Sequence, residues 1–590
     1  MLITDIARYL LPAFFHSSLL PSSISSPSSK INIVPLPAHS TTGDGSTPLC
    51  LSHNFTIYLD EASLRPHVSP KDLVLAIEDT RAQLASLAMT YLSPSHGDEF
   101  FPRGDSKCER YLERLDVHMS DYDGSTIFDQ AILSVEERPE LEAYHLDIPL
   151  TGHAKIIAKG PLGAYRALTS FQTLWYTHSS EGEGEGSGRV VYAPFAPYEI
   201  DDKPAFGWRA VLLDTSRNYF SVDSIYKILE TMSMVKLNVF HWHITDSNSW
   251  PLVLTSFPEL AREGAYSPKE IYTEQVVEDI ISYAGQRGID VLLEIDTPGH
   301  TAAIALSHPE HIACFLSTPY KHFAHQPPAG QLRFANQETT EFTSAILSDV
   351  VDLAKSRYLS TGGDEINSNC MLEDKDTKDA LTMNGWDLDD ALDDFTKKTH
   401  ATLREKGVTP VVWQEMVLDH RAMPSLTNDT IVDIWVNSKD ARMVLDQGYR
   451  IVHASADYFY LDCGQSGWIT EQGGGPGWCD PLKSWSKMYS FDPFKDVKDD
   501  ERHLILGGQT SLWAEQTDEN NLEPTLWPRA AALAEVFWSG PDSNGKPRSA
   551  AKAIGRMHDI RYRMVNRGVR ASPLQPHWCA LRPDDCVLGA

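Results

Sequence analysis

Two adjacent carboxylates, Asp364 and Glu365, are the residues of this chain whose types and spacing most directly suggest chemistry. They follow Gly362 and Gly363 at the end of the apolar run at residues 358–361. Neighbouring side chains of a regular strand point to opposite faces, so both carboxylates can serve one cavity only where the strand ends. Glycines there let a ligand approach the backbone closely. The pattern favours acid–base chemistry at a strand end, and an exposed Asp-Glu turn is the alternative.

An apolar, β-branched run followed by a loop and a helical pattern recurs eight times in the second part of the chain. The eight runs are at residues 210–214, 237–241, 290–295, 358–361, 410–413, 431–435, 450–454 and 504–508. Ser221 and Thr273 stand where helix N-caps are expected. Strands that alternate with helices in this way predict a (β/α)8 barrel. An open doubly wound sheet is the alternative, but no Gly-rich phosphate loop follows the first run.

The composition shifts predict three segments. Residues 1–30 are typical of a leader or signal-like segment, although Asp5 and Pro12 fit a signal peptide poorly. Residues 31–195 are expected to form a smaller α/β domain, with strands at 55–59 and 144–148, helices at 73–87 and 162–176, and a flexible loop at 181–188. Residues 200–590 would form the barrel. The predicted fold class is therefore α/β, a (β/α)8 barrel preceded by a smaller N-terminal α/β domain.

Charge and cysteine content restrict the partners and the compartment. The formal net charge is -30, from 51 basic and 81 acidic side chains, and such a surface repels nucleic acid and anionic membranes. No segment has eighteen uninterrupted apolar residues, so no membrane-spanning helix is predicted. The eight cysteines include no CxxC pair, so their even number favours disulfides over a zinc site. Sequons at Asn54 and Asn428 agree with a secreted glycoprotein.

Side chains that suit a sugar ligand collect where the predicted strands end, which is where barrels of this type carry their active sites. Any one of them alone is most simply a helix cap or a core tryptophan. Together they predict a carbohydrate pocket, because aromatic rings stack on sugar faces while carboxylates and arginine bind hydroxyl groups. Besides the Asp364–Glu365 pair, the candidates are Arg217, Asp246, His300, Trp413, Trp435, Tyr460, Asp462, Trp513 and Glu515.

A metal site is the competing interpretation, because His241, His243 and Asp246 are close in sequence. However, the two imidazoles lie on one face of the predicted strand and Trp242 on the other. We therefore expect no metal ligand set here.

Six motifs, taken in order along the barrel, resemble glycoside hydrolase family 20, the β-N-acetylhexosaminidases, and most of all its secreted fungal branch. They are at residues 213–217, 237–246, 294–300, 362–365, 412–415 and 512–515, and an upstream match at 160–174 resembles the last helix of that family's N-terminal domain. Two features depart from the family pattern. Ser360 stands where many relatives have histidine, and the His- and Pro-rich residues 316–331 fit poorly.

The resemblance implies an exo-acting, retaining enzyme that removes a terminal N-acetylhexosamine. The acetamido oxygen of the substrate would be the nucleophile. Glu365 would be the general acid and then the base, while Asp364 would orient the acetamido N–H. We expect the nearby charge of Asp364 to raise the pKa of Glu365.

The resemblance also implies roles for the remaining candidates. Trp413, Trp435 and Trp513 would enclose the acetamido methyl, and Tyr460 would hold its oxygen. Three polar side chains would bind the ring hydroxyls: Arg217, Asp462 and Glu515. Asp246 and His300 would complete the surroundings of Glu365, with the imidazole poised to titrate.

Further expectations follow from the same resemblance. The disulfides would be Cys50–Cys108, Cys314–Cys370, Cys463–Cys479 and Cys579–Cys586. No cofactor and no metal are expected, the partner is a carbohydrate substrate, and the protein would be a secreted homodimer. One alternative is an endo-acting chitinase with an open groove. The other, a non-catalytic sugar-binding relative, would have lost the acid, yet Asp364 and Glu365 are both present.

Overall fold

The computed structural model describes residues 30–101, 108–179, 189–421, 423–469 and 475–587. The predicted leader, apart from its last residue, and the predicted loop at 181–188 lie outside the described residues. The described chain forms a closed barrel of eight parallel strands and a separate smaller α/β unit before it, which confirms the predicted fold class.

The N-terminal unit is a mixed eight-stranded sheet in the order β1-β8-β4-β5-β3-β2-β7-β6. Its strands are β1 His39–Thr42, β2 Leu49–Leu59, β3 Tyr111–Met119, β4 Tyr144–Ile148, β5 His153–Ala158, β6 Tyr176–Ser179, β7 Arg189–Ala193 and β8 Tyr198–Asp202. Its helices are α1 Glu61–Leu64, α2 Lys71–Ser86, α3 Ile127–Ala131, α4 Arg138–Leu141 and α5 Pro161–Thr173. Strand β8 pairs with β1 and β4, so this sheet continues beyond residue 195, where the sequence placed its end.

The barrel closes in the order β10-β11-β14-β15-β16-β17-β18-β9. The strands of this half are β9 Trp208–Asp214, β10 Val239–Thr245, β11 Asp290–Ile295, β12 Ile312–Ala313, β13 Gln331–Leu332, β14 Tyr358–Gly362, β15 Thr409–Trp413, β16 Ile431–Ile434, β17 Arg450–His453 and β18 Ile505–Leu512. The short β12 and β13 pair with each other outside the barrel. All eight predicted runs overlap a barrel strand, although β10 begins two residues later than expected and β18 continues four residues further.

Helices surround the barrel. They are α6 Val222–Met234, α7 Pro258–Gly264, α8 Glu274–Gly285, α9 Tyr320–Phe323, α10 Gln337–Leu353, α11 Ser368–Glu373, α12 Lys375–Asn384, α13 Leu388–Glu405, α14 Glu415–Leu418, α15 Ala441–Leu445, α16 Trp485–Tyr489, α17 Leu522–Leu526, α18 Arg529–Ser539, α19 Ala550–Asn566 and α20 His577–Ala580. The predicted caps are present: Ser221 accepts from the N–H of Ser224, and Thr273 accepts from that of Val276. Each cap satisfies a backbone donor that the first helical turn leaves free.

Side chains of β10 alternate between the barrel interior and the core between the barrel and its helices. The His241 and His243 side chains point into the barrel, where both contact Glu294 of β11. Trp242 points outward into the core beneath the helices, and its indole N–H donates to Thr215 at 2.8 Å. The barrel interior at this level is therefore polar, which is unusual for a packed barrel core.

Buried charges join the two units of the chain. The Glu142 carboxylate accepts from Arg166 of α5 at 2.8 Å and from Arg209 of β9 at 2.6 and 2.8 Å, and all three side chains are fully buried. A second pair, Arg138 with Asp290, also crosses the interface. Removing one partner from such a cluster leaves an unpaired buried charge, which costs about 3–5 kcal/mol.

The disulfides form as the resemblance implies: Cys50–Cys108, Cys314–Cys370, Cys463–Cys479 and Cys579–Cys586. Asn54 and Asn428 are both exposed, and their glycosylation stays a prediction. Among the described helices, none has the length and apolar character needed to cross a membrane.

Candidate active site

The backbone at the end of β14 brings Asp364 and Glu365 to the same place. Gly362, Gly363 and Glu365 have φ angles of 64°, 99° and 53°, in the left-handed region, so the regular alternation of the strand stops here. A side chain at Gly362 would collide with the carboxyl group of Asp296. Glycine is therefore required for this turn both by its conformation and by the space available.

His300 lies against both carboxylates. Its Nε2 atom is 3.3 Å from Oε2 of Glu365 and 3.6 Å from Oδ2 of Asp364. Its Nδ1 atom is 3.2 Å from Oδ1 of Asp246, which also lies 2.8 Å from the guanidinium of Arg217. Five of the predicted site residues thus form one chain of contacts, from the loop after β9 to the end of β14.

A deeper layer supports this chain. The Nε2 atom of His243 is 2.7 Å from Asp246, while its Nδ1 atom bonds to Glu294. Glu294 also contacts Nε2 of His241 at 2.8 Å and accepts from the hydroxyl of Ser360. Burial opposes charge on these rings, but the Asp246 and Glu294 carboxylates raise the pKa of His243 to about 10. Each imidazole nitrogen facing Glu294 or Asp246 is engaged in an ion pair within the protein.

The pKa of Glu365 was predicted to be raised by Asp364, and this prediction is wrong in direction. Burial raises the pKa of Glu365, but the imidazolium of His300 outweighs it and holds this pKa below its ordinary value. Asp364 instead has the raised pKa, because burial and the charge of Glu365 both disfavour its ionised form. The pKa of His300 is raised well above neutrality despite burial, by Asp246 and Asp364, so this imidazole is charged and not poised to titrate.

Aromatic rings form one wall beside the pair. Trp413, Trp435 and Trp513 belong to one apolar cluster with Leu212 and Ala454. Tyr460 stacks on Trp435 with ring centroids 6.1 Å apart and lies 6.3 Å from Trp513. All four predicted aromatic residues are thus brought together, and their indole and phenol edges leave polar atoms beside an apolar surface.

Polar atoms without partners border the same space. Within the described parts of the chain, Nε of Arg217, Oδ1 of Asp364, Oδ1 of Asp462 and the indole nitrogen of Trp413 are buried and have no hydrogen-bond partner. Burial and the neighbouring Glu515 raise the pKa of Asp462 to about 8. The guanidinium of Arg217 also lies 5.1 Å from the ring of Trp513. Buried polar groups of this kind are normally satisfied, so their number here indicates a polar ligand site.

Sequence reasoning missed four residues that the structure places at the site. Glu294 and Asp296 belong to the motif at residues 294–300, but the sequence suggested no role for either of them. Glu415 accepts from the indole N–H of Trp435 at 2.7 Å, and burial raises its pKa to about 9. Trp478, beside the Cys463–Cys479 disulfide, packs edge-on against Trp435 with centroids 5.5 Å apart and is 65% exposed. The sequence signal that could have identified Trp478 was its position next to Cys479, in the loop that the predicted Cys463–Cys479 disulfide closes.

We expect His300→Asn to move the basic limb of the kcat/KM pH profile to higher pH. An acid catalyst at Glu365 works only while protonated, and the imidazolium lowers its pKa, so removing that charge raises the pKa and extends the active range upward. His322→Asn is the matched control, since His322 is exposed and pairs with Glu373. A basic limb that stayed in place would contradict the assignment of this contact.

Comparisons with known proteins agree with the motifs. The model of glycosyl hydrolase family 20, catalytic domain, matches residues 206–541, and a model described as beta-acetyl hexosaminidase like matches residues 33–174. A beta-hexosaminidase of Arthroderma benhamiae is 35% identical over 467 residues, covering 76% of this chain and 74% of that protein. A chitooligosaccharidolytic beta-N-acetylglucosaminidase of Ostrinia furnacalis is 35% identical over 396 residues, 64% of each chain. The family 20 exo beta-N-acetylglucosaminidase of Vibrio harveyi with bound N-acetylglucosamine has a TM-score of 0.70 at 21% identity, over 96% of this chain and 81% of that one.

Proposed function

The chain belongs to glycosyl hydrolase family 20 and is an exo-acting β-N-acetylhexosaminidase, and we propose that it works by retaining, substrate-assisted catalysis with Glu365 and Asp364 in separate roles. The observation that carries this proposal is the adjacency of the two carboxylates, both within 3.6 Å of the His300 imidazole. A two-carboxylate glycosidase places its groups about 5–9 Å apart on either side of the bond. Adjacent residues beside one imidazole suit a reaction in which the substrate supplies the nucleophile.

The first step breaks the bond between the anomeric carbon and the leaving oxygen. The acetamido oxygen of the substrate attacks the anomeric carbon and forms a cyclic oxazolinium, while Glu365 gives its proton to the leaving oxygen. Asp364 accepts from the acetamido N–H and stabilises the positive charge that develops there. Water then opens the ring, returning its proton to Glu365, and two inversions at the anomeric carbon give overall retention.

The walls of the site supply the remaining contacts. Trp413, Trp435 and Trp513 enclose the acetamido methyl, and the hydroxyl of Tyr460 holds the acetamido oxygen for attack, an effect of positioning. The unpartnered Nε of Arg217 and Oδ1 of Asp462 support binding of ring hydroxyls, with Glu515 beside them. A charged His300 between Glu365 and Asp246 fits an enzyme that works at acidic pH, because Glu365 keeps its proton only there.

The wider setting of the enzyme is also a proposal. Four disulfides and two exposed sequon asparagines support a secreted glycoprotein, since disulfides persist in oxidising compartments. We expect a homodimer, in which the N-terminal unit through β8 is the non-catalytic domain and the barrel that follows it is the catalytic domain. The substrate is a terminal β-linked N-acetylglucosamine or N-acetylgalactosamine on chitin oligomers or glycans, and the reaction needs no cofactor and no metal.

The test is hydrolysis of the two nitrophenyl N-acetyl-β-hexosaminides and of chitin oligomers across pH. We expect release of one N-acetylhexosamine at a time from the non-reducing end, with the β-anomer formed first. A thiazoline that mimics the oxazolinium should inhibit competitively. Internal cleavage of a chitin oligomer into shorter oligomers, or product of inverted configuration, would refute the proposed exo-acting, retaining reaction.

A further inference from the structure

A second carboxyl group, that of Asp296, lies beside Asp364 and has no role in the mechanism proposed above. It follows β11, and it is only 2% exposed, while Asp364 is 7% exposed. An oxygen of each carboxyl group and a ring nitrogen of His300 all lie within 4.8 Å of one another. Two carboxyl groups this close in a buried space cannot both be ionised without a strong repulsion.

The hydrogen bonding around the two groups leaves one proton to be placed. Oδ1 of Asp296 accepts from the backbone N–H of Gly363 at 2.9 Å. Oδ2 of Asp296 and Oδ1 of Asp364 are buried, and neither has a donor among the described residues. Ionised carboxylates only accept hydrogen bonds, so neither group can satisfy the other until one of them carries a proton. A single shared proton satisfies both.

We propose that Asp296 is a positioning residue that carries this proton and donates it to Asp364, so that Asp364 stays ionised and correctly oriented for the acetamido group. The inference rests on the proposed function, because it concerns the state of the orienting carboxylate. The proposed role of Asp296 also explains the glycine at position 362. Any side chain there would collide with the Asp296 carboxyl group and displace the proton donor.

The surrounding charges place the proton on Asp296. Asp364 is faced by His300, Asp296, Glu365, Glu294 and Glu415. Asp296 is faced by Asp364, His300 and Glu294, and burial together with the charge of Asp364 raises its pKa well above the ordinary value. Burial also raises the pKa of Asp364, but the charge of His300 and a hydrogen bond from Asp296 oppose that rise, so Asp364 is the more readily ionised of the two carboxyl groups.

A metal ion bridging Asp296, His300 and Asp364 is a different explanation for the same cluster. Such an ion would have to displace a proton from the His300 ring, because a protonated ring nitrogen offers no lone pair to a metal. The experiment therefore includes a chelator arm on the full-length wild-type enzyme. Activity lost on chelation and regained on adding a divalent cation would overturn the proposal.

The decisive comparison is Asp296→Asn against Asp296→Ala. Asparagine keeps an acceptor for Gly363 and a donor for Asp364 without a charge, so it reproduces the protonated acid. We expect kcat within about fivefold of wild type for Asp296→Asn and a fall of about 10²-fold for Asp296→Ala, as for a misplaced catalytic group. In Asp296→Ala the acidic limb of the kcat/KM profile should also move to higher pH, because Asp364 loses its donor.

Either of two kinetic results would also overturn the proposal: an Asp296→Asn enzyme as impaired as Asp296→Ala, or an Asp296→Ala enzyme with normal kcat and pH profile. If Asp296→Ala fails to fold, an infrared difference spectrum of wild type against Asp296→Asn still decides, since the proposal requires the carbonyl band of a protonated carboxylic acid in the wild type at neutral pH. Asp364→Asn is measured in parallel. Normal activity of that variant refutes the proposed function. A strongly reduced kcat for Asp364→Asn, with both Asp296 variants normal, refutes this inference alone.

Discussion

We expect a nitrophenyl β-glucoside to be hydrolysed at least about 10⁴-fold more slowly than the matching 2-acetamido glycoside, compared as kcat/KM. Without the acetamido group the substrate has no internal nucleophile, and the effective concentration that a well-placed intramolecular group supplies is lost. The buried polar groups that would hold that group are also left unpaired. The measurement is initial-rate kinetics of both substrates at the pH optimum of the acetamido glycoside.

The 2-acetamido glycoside in which the carbonyl oxygen is replaced by sulfur is the matched control, because it fills the same pocket and keeps a nucleophile. It should remain a substrate or act as a tight ligand. Comparable turnover of the glucoside would mean that a carboxylate of the protein attacks the sugar, and Asp364 and Glu365 would then need new roles.

The second large effect is expected for Glu365→Gln, with kcat reduced by about 10²–10⁴-fold for substrates that need a proton on the leaving oxygen. Glutamine keeps the size of the side chain and removes only the exchangeable proton. Glu310→Gln is the matched control, because Glu310 is exposed and pairs with His308 away from the site. The measurement is kcat for nitrophenyl and for chitobiose substrates.

The leaving group gives this prediction a sharper form. A dinitrophenyl glycoside leaves without protonation, so its first step should be nearly unaffected by Glu365→Gln, while the unactivated chitobiose should show the full loss. Near-normal hydrolysis of chitobiose by Glu365→Gln would show that another residue is the acid.

The strands and the site residues were predictable because they depend on local patterns. Each barrel strand contains a short apolar run, and β11 matches its predicted bounds of 290–295. Where a strand continues into the site the pattern was less informative. Residues 509–512 of β18 include polar Gln509, Thr510 and Ser511, which are buried inside the barrel and do not look like a core strand.

The protonation states were not predictable, because they depend on residues far apart in sequence. Adjacency suggested that Asp364 would raise the pKa of Glu365. In the structure His300, from the loop after another strand, places an opposite charge 3.3 Å from Glu365. The pairing of Asp296 with Asp364 joins positions 68 residues apart and has no local signal. A motif shows which residue types are present but not which charge is closest to each.

The buried cluster of Glu142, Arg166 and Arg209 affects whether the barrel can be separated from the N-terminal unit. The carboxylate that neutralises Arg209, on the first strand of the barrel, comes from the N-terminal unit, and the two side chains are inaccessible to water. A fragment that began at the barrel would keep the Arg209 guanidinium and lose the carboxylate that neutralises it. The smaller unit, which carries none of the proposed catalytic residues, therefore contributes an internal part of the enzyme. The boundary between the two domains is crossed by this buried ion pair, so the units are not independent of each other.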